Sequence, residues 1–304
     1  MADWTSKDIP SQTGRVAVVT GTGGLGLTTA QDLARAGARV IVAGRSAAKG
    51  AAAVAQIMAA APTSDVRFEM LDLGNLASVA AFAQRIAAQE SRLDILVNNA
   101  GIMTPPKRLV TSDGFEVQFG TNHLGHFALT AGLLPLLRTT AGARVISLSS
   151  ILARGGKLNF ADMNWEGSYN AMQAYGQSKL ACLMCALELQ RRSVAGGWGV
   201  SSIAAHPGVA RTDLINNGMG AASAGGLVRK YMAFLFQPVE MGALPILFAA
   251  TAPQAQAGGY YGPNKLSEMR GYTTAAKIPP QAQVLADAAR LWDISAQMTK
   301  VNFA

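Results

Sequence analysis

Three side chains near the middle of this chain could carry acid–base chemistry. Tyr175 and Lys179 are four residues apart where leucines recur at helical spacing, so both would lie on one helix face. An ammonium group beside a phenol favours the phenolate, which lowers the tyrosine pKa from about 10 and suits it to proton exchange. Ser150 follows the apolar stretch 144–149, which predicts a buried strand, and its hydroxyl could bind the same substrate oxygen. The tyrosine–lysine spacing alone also fits a solvated helix face, so its interpretation depends on the rest of the chain.

Strand and helix patterns alternate along the chain. Strands are predicted at residues 15–20, 39–43, 66–71, 94–97, 144–149, 200–205 and near Tyr260. Helices are predicted at residues 28–36, 47–61, 76–89, 120–137, from Gln173 onward, within 227–250 and at 281–299. This alternation is typical of βαβ units, and no linker rich in serine, glycine or proline interrupts it. The sequence therefore predicts a single doubly wound α/β Rossmann domain over residues 1–304, with a parallel sheet, helices on both faces and an N-terminal extension at 1–13.

A glycine-rich turn joins the first predicted strand to the first predicted helix. It consists of Gly21, Thr22, Gly23, Gly24, Leu25 and Gly26. Glycines in this context permit a tight turn and a close approach of the backbone to a pyrophosphate, whose charge the helix N-terminus stabilises. The turn therefore predicts nucleotide binding.

The end of the second strand bears on which nucleotide is bound. A site for NAD(H) has a carboxylate about twenty residues after the turn, where it binds the ribose 2′-hydroxyl. This chain has Arg45 and Ser46 there instead, and a guanidinium can pair with a 2′-phosphate. The sequence thus favours NADP(H) over NAD(H); the alternative is an arginine that merely faces solvent.

Further candidate contacts follow the third and fourth strands, at the sheet edge where open α/β sheets bind ligands. They are Asp72, Leu73, Asn98, Asn99, Ala100 and Gly101. For the two asparagines the alternative is ordinary turn chemistry, because asparagine and glycine are common in turns.

Composition excludes several classes of protein. The net charge is +8, but the basic residues are scattered and no basic run is interleaved with aromatic residues, so nucleic acid is not an expected partner. The N-terminus is polar and no run of 18 uncharged apolar residues occurs, which predicts a cytoplasmic protein without a membrane anchor. Cys182 and Cys185 are interpreted as core residues rather than a redox pair or half a metal site. His123 and His126 are interpreted as helix-packing residues rather than metal ligands, so no metal is predicted.

Taken together, these motifs resemble those of the short-chain dehydrogenase/reductase family over nearly the whole chain. The residues that carry the resemblance are the glycine turn, Asp72-Leu73, Asn98 to Gly101, Asn122, Ser150, Tyr175 with Lys179, and His206 to Thr212. The long spacing from Ser150 to Tyr175, residues 181–192 and residues 291–295 are similar to the branch containing retinol-dehydrogenase-like, WW-domain oxidoreductase and protochlorophyllide reductase proteins. Unlike membrane-bound retinol dehydrogenases, this sequence predicts no N-terminal anchor.

The resemblance implies a role for each matching residue. Tyr175 would be the general acid for carbonyl reduction, Lys179 would lower its pKa and hold the nicotinamide ribose, Ser150 would bind the substrate oxygen, and Asn122 would anchor a relay water. The residues that would flank the nicotinamide are Pro207, Gly208, Val209 and Thr212. Residues 210–236 resemble the family's substrate loop; the alternative is a mobile surface helix.

One feature departs from the family pattern. Two residues separate Gly21 from Gly24, where the family usually has three, so the turn is one residue short and spells G-x-G-x-x-G. The effect of this shortening on coenzyme preference is left open.

The sequence therefore predicts an NADP(H)-dependent alcohol dehydrogenase or carbonyl reductase for an apolar ketone, aldehyde or secondary alcohol. The apolar substrate is inferred from Met219, Met232, Phe234 and Phe236. Two alternatives are reduction of a polarised C=C bond by the same residues and a non-catalytic NADP(H)-binding sensor or scaffold. The intact set of candidate catalytic residues argues against the sensor, and assembly into a homo-oligomer is left open.

Overall fold

The central sheet contains eight strands in the order β3-β2-β1-β4-β5-β6-β7-β8. The structure is a computed structural model that describes residues 3–210 and 236–303. The strands are β1 (Val16–Thr20), β2 (Arg39–Gly44), β3 (Val66–Met70), β4 (Ile95–Asn98), β5 (Arg144–Leu148), β6 (Ser201–Ala205), β7 (Tyr260–Lys265) and β8 (Arg270–Ala275). Strands β1 to β7 pair in parallel, and β8 runs antiparallel to β7. The chain thus has the predicted Rossmann sheet with one antiparallel edge strand.

Helices cover both faces of the sheet. They are α1 (Gly24–Arg35), α2 (Ala47–Ala60), α3 (Leu76–Gln89), α4 (Gly125–Arg138), α5 (Ala171–Ala195), α6 (Val239–Thr251) and α7 (Leu285–Thr299). Alternate residues of β1 point to opposite faces: Ala17 and Val19 pack with residues of α1, α2 and α6, whereas Val16 and Val18 pack with residues of α3 and α4. Because strands buried on both faces need apolar residues throughout, β1 is a continuous apolar run. The doubly wound arrangement is confirmed.

Three elements differ from the sequence prediction. Helix α1 begins at Gly24 rather than at residue 28, because the glycine turn itself enters the first helical turn. A π-helical turn at Phe119–Leu124 precedes α4, where a continuous α-helix was predicted. Strand β8 was not predicted and adds one antiparallel strand at the edge of the parallel sheet; β8 is half-exposed and lacks an apolar run that would reveal it.

The C-terminal segment packs across α4 and α5. The Trp292 ring of α7 lies 4.9 Å from the ring of Phe127 on α4 and 4.4 Å from that of Phe303, measured between centroids. Arg192 of α5 stacks over the other side of this cluster, with its guanidinium carbon 4.7 Å from the Trp292 centroid. The long helix α5 is therefore fixed between the sheet and α7. Among the described helices, none combines the length and the apolar character needed to cross a membrane.

Candidate active site

A cleft of about 720 Å³ lies at the carboxyl ends of the parallel strands. Most of the site residues predicted from the sequence line it. They are Gly21, Thr22, Gly23, Gly24, Leu25, Arg45, Ser46, Asp72, Leu73, Asn99, Ala100, Gly101, Ser150, Tyr175, Lys179, Pro207, Gly208 and Val209. Residues more than 180 positions apart in the chain thus meet at one edge of the sheet, as the switch-point rule for open α/β sheets requires.

The glycine turn is packed against the loop that follows β4. A Cβ atom on Gly26 would lie 2.5 Å from Asn99 Nδ2 and 2.7 Å from the Gly21 carbonyl oxygen, so no side chain fits there. Gly21 has a φ of +104°, which side chains disfavour, and its Cβ would lie 2.8 Å from Asn99 Nδ2. A Cβ on Gly23 would meet nothing within 4 Å. Gly26 therefore supports the cleft from behind, while Gly23 borders open space at the N-terminus of α1.

Thr20 connects this turn to the loop after β4. Its hydroxyl accepts hydrogen bonds from the backbone N–H groups of Asn99 (2.9 Å) and Ala100 (2.9 Å). Its carbonyl accepts a third from Asn99 Nδ2 at 2.7 Å. One threonine thus fixes the position of the asparagine against which the glycines pack.

His126 of α4 completes this arrangement. Its Nδ1 lies 2.9 Å from the Asn122 carbonyl oxygen, which can only accept, so Nδ1 carries the proton and Nε2 is an acceptor. Nε2 lies 2.9 Å from the Thr20 hydroxyl, whose single hydrogen is shared between this nitrogen and the Val97 carbonyl oxygen at 3.2 Å. Burial lowers the pKa of His126 to about 4, in keeping with a neutral ring. His126 was predicted to be a packing residue; its contact with Thr20 was not predicted, because helical spacing gives no signal of it.

Charged side chains divide the cleft into regions. Arg45 and Lys49 lie where β2 passes into α2, and neither side chain makes a hydrogen bond or ion pair with another described residue. Asp72 is the one carboxylate among the described residues of the lining, and its Oδ1 accepts from the Gly74 N–H at 2.9 Å. The cleft beside β2 is thus rich in positive charge. Lys49 was not singled out from the sequence, where it is one exposed residue in an alanine-rich helix.

Ser150 caps the turn that follows β5. Its hydroxyl oxygen accepts from the Leu152 N–H at 3.2 Å, at the start of a 3-10 turn spanning Ile151–Gly155. The adjacent Ser149 hydroxyl donates to the Lys179 carbonyl at 2.8 Å, which ties the strand end to α5. Ser150 therefore remains half-exposed to the cleft at a defined position.

Tyr175 and Lys179 project from the first turns of α5 into the same cleft. Both are 5% exposed, and the Lys179 ammonium nitrogen lies 5.9 Å from the centre of the Tyr175 ring. Lys179 Nζ donates to the Leu148 carbonyl oxygen at 3.1 Å, which uses one of its three hydrogens. The other two remain for partners within the cleft. The structure thus brings Ser150, Tyr175 and Lys179 together, as predicted.

Asn122 lies behind this group, in the π-helical turn before α4. Its side chain binds both polar backbone atoms of Ile102, accepting from N at 2.7 Å and donating to O at 2.9 Å, and it also donates to the Ser178 hydroxyl at 3.0 Å. A Cβ on Gly101 would lie 3.1 Å from Asn122 Oδ1 and 3.5 Å from Lys179 Nζ, so both polar groups surround Gly101. π-Turns are frequent at functional sites. Asn122 connects α5 with the loop after β4.

Four predicted site residues do not line the cleft as described. Gly26 packs behind it, and Asn98 and Asn122 line a smaller internal cavity of about 30 Å³. Thr212 lies outside the described residues, as does most of the predicted substrate loop. Further lining residues were not singled out from the sequence, and the apolar ones at the Ser150 end of the cleft are Ile102, Met103, Ile151, Leu152 and Ala210.

The remaining histidine and cysteine candidates take part in packing. His123 Nε2 bonds the Ser295 hydroxyl at 2.7 Å, and burial lowers the pKa of its ring to about 3. Cys182 and Cys185 are free thiols whose pKa values burial raises. Within the described part of the chain, no group of three or more His, Cys, Asp or Glu residues is arranged to hold a metal ion.

The fold and the glycine-lined cleft define a doubly wound, dinucleotide-type α/β protein. The model of the family described as short chain dehydrogenase matches residues 15–219. The chain therefore belongs to the short-chain dehydrogenase family, whose members are oxidoreductases, and the resemblance drawn from its motifs is confirmed.

Similar proteins place it in the retinol-dehydrogenase-like branch. Retinol dehydrogenase 12 of Mus musculus is 38% identical over 302 residues, covering 98% of this chain and 90% of that protein. Polyprenol dehydrogenase of Mus musculus is 42% identical over 269 residues, covering 85% of this chain and 78% of that protein. Among solved structures, the Pseudomonas aeruginosa RhlG/NADP active-site complex is 29% identical with a TM-score of 0.65, covering 82% of this chain and 94% of that one.

Proposed function

We propose that this protein is an NADP(H)-dependent oxidoreductase that interconverts an apolar ketone or aldehyde with its alcohol, using Tyr175 as the general acid and base. The observation that carries the proposal is the convergence of three features in one cleft. These are a glycine turn at a helix N-terminus, two cations beside β2 that have no ion-pair partner among the described residues, and Ser150, Tyr175 and Lys179 at the other end. The first two suit a phosphorylated dinucleotide, and the third suits proton transfer to a carbonyl oxygen.

The described residues fit a nicotinamide dinucleotide. Gly23 leaves room for a group close to the backbone, and the N-terminus of α1 favours negative charge there. The tight packing of Gly21 and Gly26 against Asn99 keeps this turn compact although it is one residue shorter than the family pattern. When bound, the reduced nicotinamide supplies a hydride to the carbonyl carbon.

Charge supports NADP(H) as the preferred coenzyme. Arg45 and Lys49 have no ion-pair partner among the described residues. The 2′-phosphate of NADP(H) would form ion pairs with both side chains. The end of β2 lacks the carboxylate that would bind the ribose 2′-hydroxyl of NAD(H) and repel the 2′-phosphate of NADP(H). RhlG, a relative in fold and sequence, has been solved with NADP.

The acid–base residues have complementary tasks. The Tyr175 hydroxyl donates its proton to the carbonyl oxygen as the alcohol forms and takes it back in the reverse direction. The Ser150 hydroxyl donates a hydrogen bond to the same oxygen and so keeps it beside the phenol. Lys179, held by Leu148, keeps a positive charge near the phenol and has two hydrogens left for coenzyme hydroxyls.

Apolar side chains favour an apolar substrate. At the Ser150 end, the cleft is bordered by Ile102, Met103, Ile151, Leu152 and Val209. Burial of such surface contributes about 25 cal/mol for each Å² of apolar substrate removed from water. Two relatives are named for long isoprenoid alcohols, retinol and polyprenol. Of the residues from which an apolar substrate was first inferred, Met219, Met232 and Phe234 lie outside the described residues, and Phe236 does not line the cleft as described.

The proposal can be tested with a Tyr175→Phe variant. The purified protein is mixed with NADPH and with each member of a panel of aldehydes and ketones that includes retinal. The oxidation of NADPH is followed by the fall in its absorbance. We expect turnover of an apolar member of the panel and a loss of about 10³-fold or more in Tyr175→Phe, because no other tyrosine lies among the described lining residues of the cleft. NADPH binding should persist.

Tyr272→Phe is a matched control, since Tyr272 lies on β8 and does not line the cleft. It should retain wild-type turnover. Equal activity in Tyr175→Phe and wild type would contradict the assigned acid, and NADPH binding without turnover of any carbonyl would favour the sensor over the enzyme.

A further inference from the structure

The hairpin between β7 and β8 contains an unusual backbone conformation. Three consecutive residues that are not glycine, Leu266, Ser267 and Glu268, have positive φ angles of 49°, 54° and 68°. Residues other than glycine rarely adopt positive φ angles, because the Cβ atom crowds the backbone. The conformation therefore persists only where surrounding contacts impose it. The contacts of Glu268 therefore indicate what holds the hairpin in this conformation.

The Glu268 carboxylate connects three separate segments. One oxygen, Oε2, accepts from His206 Nε2 at 2.9 Å and forms an ion pair with Arg154 Nη2 at 2.5 Å. The other oxygen, Oε1, accepts from the Lys277 N–H at 3.0 Å. Arg154 also donates to the Ser267 carbonyl at 2.9 Å. The side chain of Glu268 is 12% exposed, so these contacts are largely shielded from water.

His206 has a defined protonation state in this arrangement. Its Nδ1 lies 3.3 Å from the Gly208 N–H, which can only donate, so Nδ1 is the acceptor and Nε2 carries the proton given to Glu268. The ring is fully buried, and a Cβ on Gly262 of β7 would overlap it. Glu268 and Gly262 thus fix the orientation of His206.

The segment after His206 is held by the same hairpin. The Val209 N–H donates to the Met269 carbonyl at 2.8 Å, and a Cβ on Gly208, whose φ is +62°, would overlap that carbonyl. Gln237 Nε2 donates to the Pro207 carbonyl at 2.7 Å. The wall formed by residues 207–209 therefore depends on the position of the hairpin.

The same hairpin also contacts the segment that follows Ser150. Arg154 lies in the 3-10 turn that Ser150 caps, so its ion pair with Glu268 restrains the turn. Gln281 Nε2 also lies within 3.3 Å of the carbonyl oxygens of Ala153, Arg154 and Gly156. The turn that carries Ser150 is thus attached to the hairpin through Arg154, which contacts both the Glu268 carboxylate and the Ser267 carbonyl.

We propose that Glu268 is a positioning residue, which fixes the Ser150 turn and the 207–209 wall relative to each other at the end of the cleft that contains Ser150 and Tyr175. Its role in turnover rests on the proposed function, whereas its effect on the two segments does not. Loss of the carboxylate removes one restraint from both segments at once, while their backbone contacts remain, and the alignment of the Ser150 hydroxyl with Tyr175 is loosened.

Amide hydrogen exchange of the protein without added coenzyme tests the coupling directly. In Glu268→Ala, we expect exchange at residues 151–156 and at 206–210 to accelerate together by about tenfold or more, with no change in α3. Lys265→Ala is the matched control, because Lys265 is an exposed residue of the same hairpin whose side chain has no hydrogen-bond or ion-pair partner among the described residues. It should leave both segments within about twofold of wild type.

Acceleration confined to the hairpin in Glu268→Ala would overturn the proposal, since Glu268 would then stabilise the hairpin alone. If Glu268→Ala does not fold, Glu268→Gln decides. Its amide oxygen still accepts from His206 but loses the ion pair with Arg154, so residues 151–156 should accelerate more than residues 206–210. Equal rates to wild type in both segments of Glu268→Gln would also overturn the proposal.

Turnover supplies a second readout that a purely structural role would not change. Well below the melting temperature, Glu268→Ala should lower kcat by about tenfold, change the KM for NADPH by less than about twofold, and be partly rescued in Glu268→Gln. Unchanged kcat in Glu268→Ala would contradict the role in turnover. A wild-type protein that turns over no carbonyl would instead contradict the proposed function, and the exchange experiment would still decide on Glu268.

Discussion

The two ends of the cleft are held in place by different physical means. At the glycine turn, Thr20, Asn99 and His126 form neutral hydrogen bonds, and Gly21 and Gly26 pack so closely against Asn99 that no side chain fits at either position. At the end that contains Ser150, the Ser150 turn and residues 207–209 are joined through the charged side chains of Glu268 and Arg154. The first end thus depends on volume and on neutral polar contacts, whereas the second depends on charge.

This difference suits what each end would bind. A pyrophosphate close to the backbone requires a fixed and narrow turn, which close packing provides because protein interiors deform little. A substrate must enter and leave at the other end, where segments joined through a few side chains can be restrained without being fused into one core. The two ends should therefore respond to different perturbations.

The largest effect is expected for a single added methyl group at the glycine turn. Gly26→Ala places a Cβ against the Gly21 carbonyl and against an Asn99 side chain that Thr20 already holds. We expect a loss of about 3 kcal/mol in the free energy of unfolding, measured by urea denaturation. Gly23→Ala is the control: its Cβ meets open space and its φ is −151°, so stability should be unchanged while NADPH affinity falls. Equal stability in the two variants would refute the packing argument.

A smaller loss is expected when one hydroxyl is removed. Thr20→Val keeps the shape of the side chain but leaves the N–H group of Ala100 and the acceptor nitrogen of His126 without a partner among the described residues, while the Asn99 N–H keeps only the Val97 carbonyl oxygen at 3.1 Å. The expected loss of stability is about 2 kcal/mol, because buried polar groups without partners are costly. Thr28→Val, at a residue of α1 that does not line the cleft, serves as a comparison. A loss no greater than in Thr28→Val would show that the hydroxyl is dispensable.

Acid should weaken the two ends in different pH ranges. Burial lowers the pKa of His126 from 6.5 to about 4, so the unfolded state binds more protons between these values. Its contribution is complete above pH 6.5 and is lost as the pH falls towards 4, by roughly 3 kcal/mol in all. Glu268 behaves differently: despite an opposing effect of burial, its hydrogen bond from His206 and nearby charges lower its pKa from 4.5 to about 2. Its contribution is complete above pH 4.5 and is lost as the pH falls towards 2.

Urea denaturation across pH separates these contributions. Glu268→Gln should flatten the dependence of stability on pH below 4.5 and leave the loss between pH 6.5 and 4.5 as in wild type. A variant that instead lost its pH dependence above 4.5 would contradict the assignment.

Much of the fold could be predicted from the sequence because its signals are local. Apolar runs and helical spacing indicated the alternating strands and helices, and the strand–glycine–helix context indicated the turn. The group of Ser150, Tyr175 and Lys179 was also predicted, since the position of each is set by a strand end or by helical spacing.

What was missed depends on contacts between distant parts of the chain. The pairing of His206 with Glu268 joins residues 62 positions apart, and that of Thr20 with His126 joins residues 106 apart. Neither pairing follows a periodic pattern. Strand β8 was missed because it is half-exposed and follows a hairpin whose positive φ angles fall on residues other than glycine. Lys49 gave no signal because its role depends on the position of the cleft.

The most direct test of the proposed function is a fluorescence titration of wild type and Arg45→Ala with NADPH and with NADH. We expect wild type to bind NADPH at least about tenfold more tightly than NADH, because Arg45 and Lys49 would neutralise the 2′-phosphate. Arg45→Ala should lose most of this preference through weaker NADPH binding, with NADH affinity unchanged. Tighter binding of NADH by wild type, or an Arg45→Ala variant that retains the full preference for NADPH, would contradict the account.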